Sequence, residues 1–326
     1  NYFQKVIFKM KKDGSNKKYD CIVGVSGGVD STYLLHLLVK NDIRPFVLHL
    51  DNGWNTELSV KNIFNLLDKL NLDLNTHVIN WNEFKMLQRS FLKSSLSNLE
   101  IPTDHAIFSL LFNYADKLNC KYIIHGGNQV SESIMPKSWM ESSWDQKLIF
   151  SINKKFENQE LSTYPTQNYI TLFNRIFFKK IKYIGLLNFF DYNVSSAKKI
   201  ISKLYGWEPY KHKHGESFFT NFFQNYILPK KFNINKKKAH LSSLIISNQI
   251  SRNDAIKKIS IEEDIFDIDQ DIKLRESIKE ERARIISKMK GSDNPGSNRR
   301  FPIRRVDVEL HCDDVFEYEF LSDILN

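Results

Sequence analysis

Tyr19-Asp20-Cys21-Ile22-Val23-Gly24-Val25-Ser26-Gly27-Gly28-Val29-Asp30-Ser31 is the stretch on which the fold turns. Its first seven residues form a short apolar run, read as a buried strand. From Asp30 to Lys40, Leu34, Leu35, Leu37, Leu38 and Val39 supply the broad apolar face of a helix. Between strand and helix lies Ser26-Gly27-Gly28-Val29-Asp30-Ser31. Two glycines let the backbone turn tightly and bring its N–H groups against an anion. The helix start adds unpaired N–H groups and a positive dipole end. Ser26 and Ser31 offer hydroxyls, and Asp30 is the candidate to hold a magnesium ion bridging phosphate oxygens. The plainer reading is a strand-to-helix turn with an Asp/Ser cap. No GK[ST] follows, so this is not a Walker loop, and the spacing is not GxGxxG.

Outward from this loop, strands and helices alternate. Pro45–Leu50 reads as a second strand before the turn Asp51-Asn52-Gly53. Leu58, Ile63, Leu66, Leu67 and Leu70 recur at near-helical spacing, and a third strand fits Leu74–Ile79. A helix carrying Ile107, Leu110, Leu111, Tyr114, Ala115 and Leu118 precedes a fourth strand, Lys121–His125, which ends at Gly126-Gly127-Asn128. The pattern predicts an α/β fold with a doubly wound, mostly parallel sheet. Ligands on such sheets lie at the carboxyl ends of the strands, where the polar turns fall. From about residue 150 the segments read as helical and rich in Phe, Tyr and Lys, with helices over 216–227, 236–247 and 252–259, the last capped by Ser251. Phe218, Phe219, Phe222 and Phe223 are assigned to the core. Asp271–Lys290 reads as a charged helix and Gly291–Asn298 as a loop, followed by Arg299, Arg300, Arg304 and Arg305.

With 326 residues, 41% apolar and 26% charged, the composition is that of a globular protein. The absence of any run near ~18 apolar residues argues against a membrane-spanning protein, and Asn1–Lys5 lacks a signal peptide's order. Cys21, Cys120 and Cys312 form no CxxC pair, which argues against a disulfide framework or a cysteine-rich zinc site. A reducing cytoplasm is the expected home. The net charge of +9 is uneven: residues 154–258 hold 19 Lys/Arg against 6 Asp/Glu, whereas the last 21 residues hold seven acids and no Lys or Arg. A concentrated positive field suits an anionic partner such as a nucleotide, nucleic acid or phosphorylated sugar. A solvated lysine-rich surface explains it equally.

The loop resembles the pyrophosphatase loop (PP-loop) of the N-type ATP pyrophosphatase superfamily, whose adenine nucleotide alpha hydrolase-like members cleave ATP to AMP and pyrophosphate. In that fold the turns after the second and fourth strands lie near the nucleotide. The resemblance implies ATP-binding roles for Ser26, Gly27, Gly28, Asp30, Ser31, Asp51, Asn52, Gly126, Gly127 and Asn128. A simple Asx turn at Asp51-Asn52 remains open. The likeness narrows at Lys213-His214-Gly215-Glu216-Ser217, Phe219-Thr220, Phe223-Gln224, Ile227–Phe232, Lys236–Ser243 and Gln249–Arg252. Asp51–Trp54, Pro102-Thr103-Asp104-His105-Ala106-Ile107, Gly127-Asn128 and Glu132-Ser133 also fit. Over residues 15–258 the chain resembles the N-acetyl sugar amidotransferase family of bacterial surface-glycan biosynthesis, which serves LPS O-antigen, capsule or flagellin glycans.

The resemblance implies conversion of an acetamido group of a nucleotide-activated N-acetyl sugar into an acetamidino group. Adenylating the amide oxygen makes the carbon electrophilic and gives it a leaving group, and ammonia then displaces AMP. Cofactors would be ATP and Mg2+, and a separate class I glutaminase subunit would supply ammonia. Catalytic roles are implied for Asp30, Lys213, His214 and Glu216, and substrate-binding roles for Asp104, His105, Glu132, Ser217, Lys237 and His240. Lys213, His214, Lys237 and Lys238 would neutralise nucleotide-sugar phosphates, and Glu216 or His240 would orient the sugar or move protons. For Lys237 and Lys238 a solvated charge run stays open, and for His105 a helix-start histidine bonded to its neighbours.

The expected organisation is a PP-loop domain over 1–150, a basic, mainly helical substrate region over 151–260, and a charged helix, linker and acidic tail over 261–326. The sequence departs from the family in having no cysteine ahead of Cys21, in placing Lys237 where an arginine is expected, and in its last part. A tRNA-modifying ligase of the same superfamily, or a non-catalytic nucleotide-binding subunit of a glutaminase complex, are the alternatives. Nucleic acid is the less expected partner.

Overall fold

The computed structural model describes residues 2–260 apart from Met140 and His212. The sequence readings for 261–326, including the charged helix, the four arginines and the acidic tail, lie outside the described residues. In chain order the elements are α1 (Tyr2–Gly14), β1 (Cys21–Gly24), α2 (Val29–Lys40), β2 (Pro45–Asp51), α3 (Glu57–Leu70), β3 (Leu74–Val78), α4 (Trp81–Ser94), α5 (Ile101–Lys117) and β4 (Tyr122–His125). They continue with α6 (Gln129–Glu132), α7 (Gln146–Phe156), α8 (Tyr169–Phe173), β5 (Lys182–Gly185), α9 (Val194–Tyr205), α10 (Phe218–Phe222), α11 (Leu228–Phe232), α12 (Lys236–Ile246) and α13 (Arg252–Ser260). No helix among the described residues is long and apolar enough to cross a membrane.

All five strands are parallel, in the order β3-β2-β1-β4-β5. The chain direction of winding reverses between β1 and β4, so their carboxyl ends open a crevice there. This is the doubly wound, parallel α/β architecture the sequence implied. The central strands are covered on both faces, which is why they read as unbroken apolar runs. On one face Cys21, Val23, Val47 and Ile124 pack with residues of α1, α2, α3 and α9. On the other, Ile22, Phe46, Leu48 and Ile123 pack with Leu110, Leu111 and Phe112 of α5. Each such buried side chain contributes about 1.5–3 kcal/mol of transfer free energy. β3 and β5 are the edge strands, and Leu74 and Val78 of β3 are exposed.

Several elements were not read from the sequence, among them α1, α4 and β5. The N-terminal residues form the amphipathic α1, burying Phe3, Val6, Ile7 and Met10. Its end is tied to the sheet by Arg44, which donates to the Gly14 carbonyl at 2.7 Å and to both oxygens of the buried Asp20, at 2.7 and 3.1 Å. The charged α4 was passed over too. β5 joins the sheet beyond residue 150, pairing Tyr122 with Lys182 through His125 with Gly185. Its four residues carry Lys and Gly, too little pattern to signal a strand.

α4 holds a clasp. Glu83, 6% exposed, accepts from the backbone N–H groups of Thr163 and Tyr164 and the hydroxyls of Ser162 and Thr163, at 2.9–3.1 Å. Further on, α10 and α11 run together through a π-helical turn, Phe223–Ile227. Phe219, Phe222 and Phe223 are buried there, whereas Phe218, also assigned to the core, is only partly buried. α12 begins at an Asn235 cap and α13 at Ser251, whose hydroxyl accepts from Asp254 N–H.

Candidate functional site

The glycine loop sits at the carboxyl end of β1. Gly27 has φ 83°, a left-handed conformation suited to glycine, and a Cβ there would lie 2.7 Å from the Ser59 carbonyl oxygen. The Gly27 carbonyl is held by Trp207 Nε1–H (2.9 Å) and the Tyr210 hydroxyl (3.0 Å). Gly28 is the N-cap of α2 and has no side-chain cap bond, which leaves the helix's first N–H groups facing outward. Ser26 Oγ and Ser31 Oγ stand 3.3 Å apart inside the turn, and Ser31 donates to the Gly28 carbonyl. The loop is therefore a strand-to-helix turn whose serine hydroxyls bond to each other and to the Gly28 backbone, while the first N–H groups of α2 have no side-chain cap.

Asp30, in the first turn of α2, receives a short hydrogen bond from the buried Tyr192 hydroxyl. Burial pushes the Asp30 carboxyl up, and Glu132 adds to this. The Tyr192 hydroxyl, Lys213 and His214 pull the other way. Gly126, after β4, packs flat on this turn: a Cβ there would lie 3.0 Å from Ser31 N. Asn128 caps α6 by accepting from Ser131 N–H at 3.1 Å. That short helix carries Glu132 toward Asp30. Asp51 and Asn52 accept from Gly53 and Trp54 N–H groups at 3.0 and 3.2 Å, so the Asx turn is present. It lies at the carboxyl end of β2, beside the loop.

The Lys213–Ser217 turn closes over these strand ends. Thr56 N–H donates to the Glu216 carbonyl (3.0 Å), and Phe218 N–H to the Trp54 carbonyl (2.9 Å). Asn55 and Ser217 form an antiparallel bridge. Glu216 Oε1 stands 3.2 Å from where a Cβ on Gly28 would be, and His214 Nδ1 lies 3.6 Å from it. Burial raises the Glu216 carboxyl, but His214 and Lys213 outweigh it and hold it below its ordinary value. His214 adopts φ 62°, a conformation that costs a non-glycine residue about 1 kcal/mol or more and gathers at functional sites.

Several side chains serve differently from the sequence expectation. Lys213 does not stand ready for phosphate, because its ammonium lies 3.2 Å from Glu132 Oε1 and 3.0 Å from His240 Nδ1. Burial raises Glu132, but Lys213 and His214 outweigh that and hold it low. Burial and the Lys213 charge bring His240 down to about 4, so its ring is neutral at pH 7. His105, 1% exposed, does not open on the site. Its Nδ1 meets the Ser143 carbonyl at 2.8 Å, and its Nε2 meets Thr166 Oγ1 and Gln167 N–H. It pins distant chain rather than its sequence neighbours. Ser217 is spent as the cap of α10, accepting from Thr220 N–H. Of the lysines in α12, Lys236 sits within the field of Glu100, Asp104 and Glu132, while Lys237 is half-buried in the same turn.

Sequence reasoning missed Tyr192, Trp207, Tyr210, Lys236 and Glu100. Only Glu100 had a signal, since it precedes Asp104 by one helical turn. Its Oε2 accepts from Thr220 Oγ1 at 3.0 Å, and its Oε1 is shielded from solvent with no hydrogen-bond partner among the described residues. Asp104 Oδ2 accepts from Ser143 Oγ at 3.2 Å. Burial, then the neighbouring Asp104 charge, pushes Glu100 up to about 8. Burial pushes Asp104 up to about 6. No group of three or more His, Cys, Asp or Glu side chains among the described residues is arranged to hold a metal ion. Asp30 fits Mg2+ in the other usual way, one carboxylate acting together with substrate phosphates.

Solved structures with a similar outline include NMN synthetase from Francisella tularensis, 16% identical with a TM-score of 0.33, covering 69% of this chain and 92% of that one. NH3-dependent NAD synthetase from Campylobacter jejuni is 19% identical at TM-score 0.31, covering 64% and 99%. The U34-tRNA thiolase of Methanococcus maripaludis is 12% identical at 0.38, covering 76% and 80%. At such scores the fold rests on the sheet order itself. An uncharacterized protein of Methanocaldococcus jannaschii is 32% identical over 72 residues, which is 22% of this chain. The chain spans a quarter (25%) of that relative's length. Residues 216–286 match the family described as LPS biosynthesis protein WbpG-like, C-terminal domain. The resemblance to surface-glycan biosynthesis proteins is thus met over residues 216–286.

Proposed function

We propose that this chain is the synthetase subunit of an ATP-dependent amidotransferase (a C–N ligase). It would convert the acetamido group of a nucleotide-activated N-acetyl sugar into an acetamidino group in LPS or related surface-glycan biosynthesis. The observation that carries the reading is the closure of the His214–Glu216 turn over the uncapped N-terminus of α2, at the start of the WbpG-like segment. Residues 1–150 would form the nucleotide half, 151–260 the substrate side, and 261–326 an appended region.

In this reading the α2 N–H groups and the Ser26 and Ser31 hydroxyls receive the pyrophosphate of ATP, with Gly27 held in place by Trp207 and Tyr210. Asp30 would hold Mg2+, which supplies charge neutralisation on the phosphates when bound. The sugar's amide oxygen bonds to the α-phosphorus of ATP as pyrophosphate leaves. Ammonia then adds to the activated carbon and AMP departs with the former amide oxygen. Glu132, Asp104 and the neutral His240 would border the activated carbon. Lys213 positions Glu132 and His240. A class I glutaminase partner would deliver the ammonia, and nucleic acid has no assigned role.

The test is AMP release from ATP and Mg2+ with ammonium chloride in place of the glutaminase. A panel of UDP- and CMP-linked N-acetyl sugars is compared with unmodified tRNA. The expected result is sugar-dependent AMP and a product in which NH replaces O. Asp30→Asn should lower that rate by about 100-fold or more. AMP release with tRNA alone would replace this reading with a tRNA ligase.

A further inference from the structure

Five carboxylates, Asp30, Glu100, Asp104, Glu132 and Glu216, meet two lysines, Lys213 and Lys236, around the site. A pocket that had only to bind a nucleotide sugar would carry the opposite balance. Two of these acids are accounted for, because Glu132 is paired with Lys213 and Glu216 lies beside His214. Asp30 is held by Tyr192. Glu100 and Asp104 are not explained in this way. They lie one turn apart at the start of α5, so their side chains share a face. Each has one hydroxyl donor, and one oxygen of Glu100 has no partner among the described residues although solvent does not reach it. Leaving a buried carboxylate oxygen unpaired is costly. Lys236 lends positive field, with its ammonium 5.6 Å from the centre of the Phe223 ring.

The pair belongs to the site. Glu132 and His214 act on both Asp30 and Asp104, and Glu216 acts on Glu100 while its own carboxylate borders Gly28. A small cation with several N–H donors suits two carboxyls and two hydroxyls. Mg2+ demands near-ideal six-oxygen coordination. We propose that Glu100 and Asp104 form the ammonium-receiving site of the reaction, holding NH4+ and taking its proton beside the activated sugar carbon. This rests on the amidotransferase reading above.

The balance is simple. One N–H bond of NH4+ breaks and its proton moves to a carboxylate oxygen of the pair. The freed lone pair forms the C–N bond, and the C–O bond to AMP breaks with its electrons leaving on the phosphate. The added nitrogen sheds one further proton to solvent, and the amidinium keeps the positive charge. Without a cation, Glu100, raised to about 8, keeps a proton at neutral pH; ammonium beside it favours the carboxylate form, whose raised basicity makes the proton transfer feasible.

The experiment compares Glu100→Gln with the unaltered chain in three readouts. Sugar-dependent ATP–pyrophosphate exchange reports the first half-reaction and the integrity of the fold. AMP formation is then measured with ammonium and with hydroxylamine, which is mostly unprotonated at neutral pH and needs no base. Thermal protection by ammonium chloride, against tetramethylammonium chloride, reports binding without catalysis. The expected result is a loss of about 100-fold in kcat/KM for ammonium, with exchange and hydroxylamine turnover changed less than about threefold and ammonium protection lost. Equal losses with both nucleophiles, or undiminished use of ammonium, would overturn the proposal. If the unaltered chain shows no sugar-dependent exchange, the amidotransferase reading fails. Ammonium protection abolished by Glu100→Gln would even then uphold the site, and its absence would remove both.

Discussion

Two glutamates at the two ends of a short stretch of chain make an instructive pair. Glu83, in α4, is met by two backbone N–H groups and two hydroxyls from residues 162–164. Glu100, seventeen positions later by its number, receives one hydroxyl and leaves an oxygen unmatched. Both side chains left water. The first was given four donor groups, and its site clasps a loop to a helix. The second was given too few, and sits where a cationic ligand would complete it. A buried carboxylate that is satisfied reads as architecture, and one left hungry reads as chemistry.

The sharpest way to break this contrast is to remove the satisfied member. Glu83→Ala strands several donors at once and should cost about 3 kcal/mol, seen as a fall of roughly 6–12 °C in thermal midpoint. Its surviving folded fraction should keep the unaltered preference between ammonium and hydroxylamine. A change in that preference would show that Glu83 shares the role assigned to Glu100.

The unsatisfied member should leave its mark on pH dependence. Glu100 in the fold is raised from 4.5 to about 8, so between these values the folded chain binds a proton that the unfolded chain has released. Its stability contribution is full below the ordinary carboxylate range and is lost as pH rises through about 8. Glu100→Gln should therefore flatten the decline in urea midpoint between about pH 5 and pH 9, gaining on the unaltered chain by about 1–2 kcal/mol at the alkaline end. A parallel decline in both would mean that Glu100 titrates like an exposed acid.

Smaller changes test how donors are shared. Ser217→Ala removes the α10 cap near the Glu216 turn and should cost about 1 kcal/mol by urea unfolding. Ser162→Ala takes one donor from Glu83 and leaves the backbone pair, with an expected loss of about 0.5–1 kcal/mol. A loss as large as that of Glu83→Ala would mean the clasp rests on that one hydroxyl.

Much of this was legible in the chain order. The run Tyr19–Val25 and the Ser26–Ser31 turn announce a buried strand feeding a helix, because apolar patterning and glycine placement are local properties. The same holds for the Ser251 cap and for the aromatic face at Phe219, Phe222 and Phe223. α1 carried a readable helical stripe that was judged only as a leader. β5 was hidden because four residues with two polar or small members carry no period.

The sequence by itself determined four strands of the sheet, the loop at its head and many of the residues able to do chemistry. Only the tertiary structure decided how those residues are shared out. It closed the His214–Glu216 turn on Gly28, spent His105 and Ser217 on holding backbone, and turned Lys213 onto Glu132 and His240. It also left one oxygen of Glu100 without a donor among the described residues. Local pattern follows from neighbours along the chain, whereas a side chain's charge state and partners depend on groups brought close from over a hundred residues away, and no spacing in the sequence records that distance.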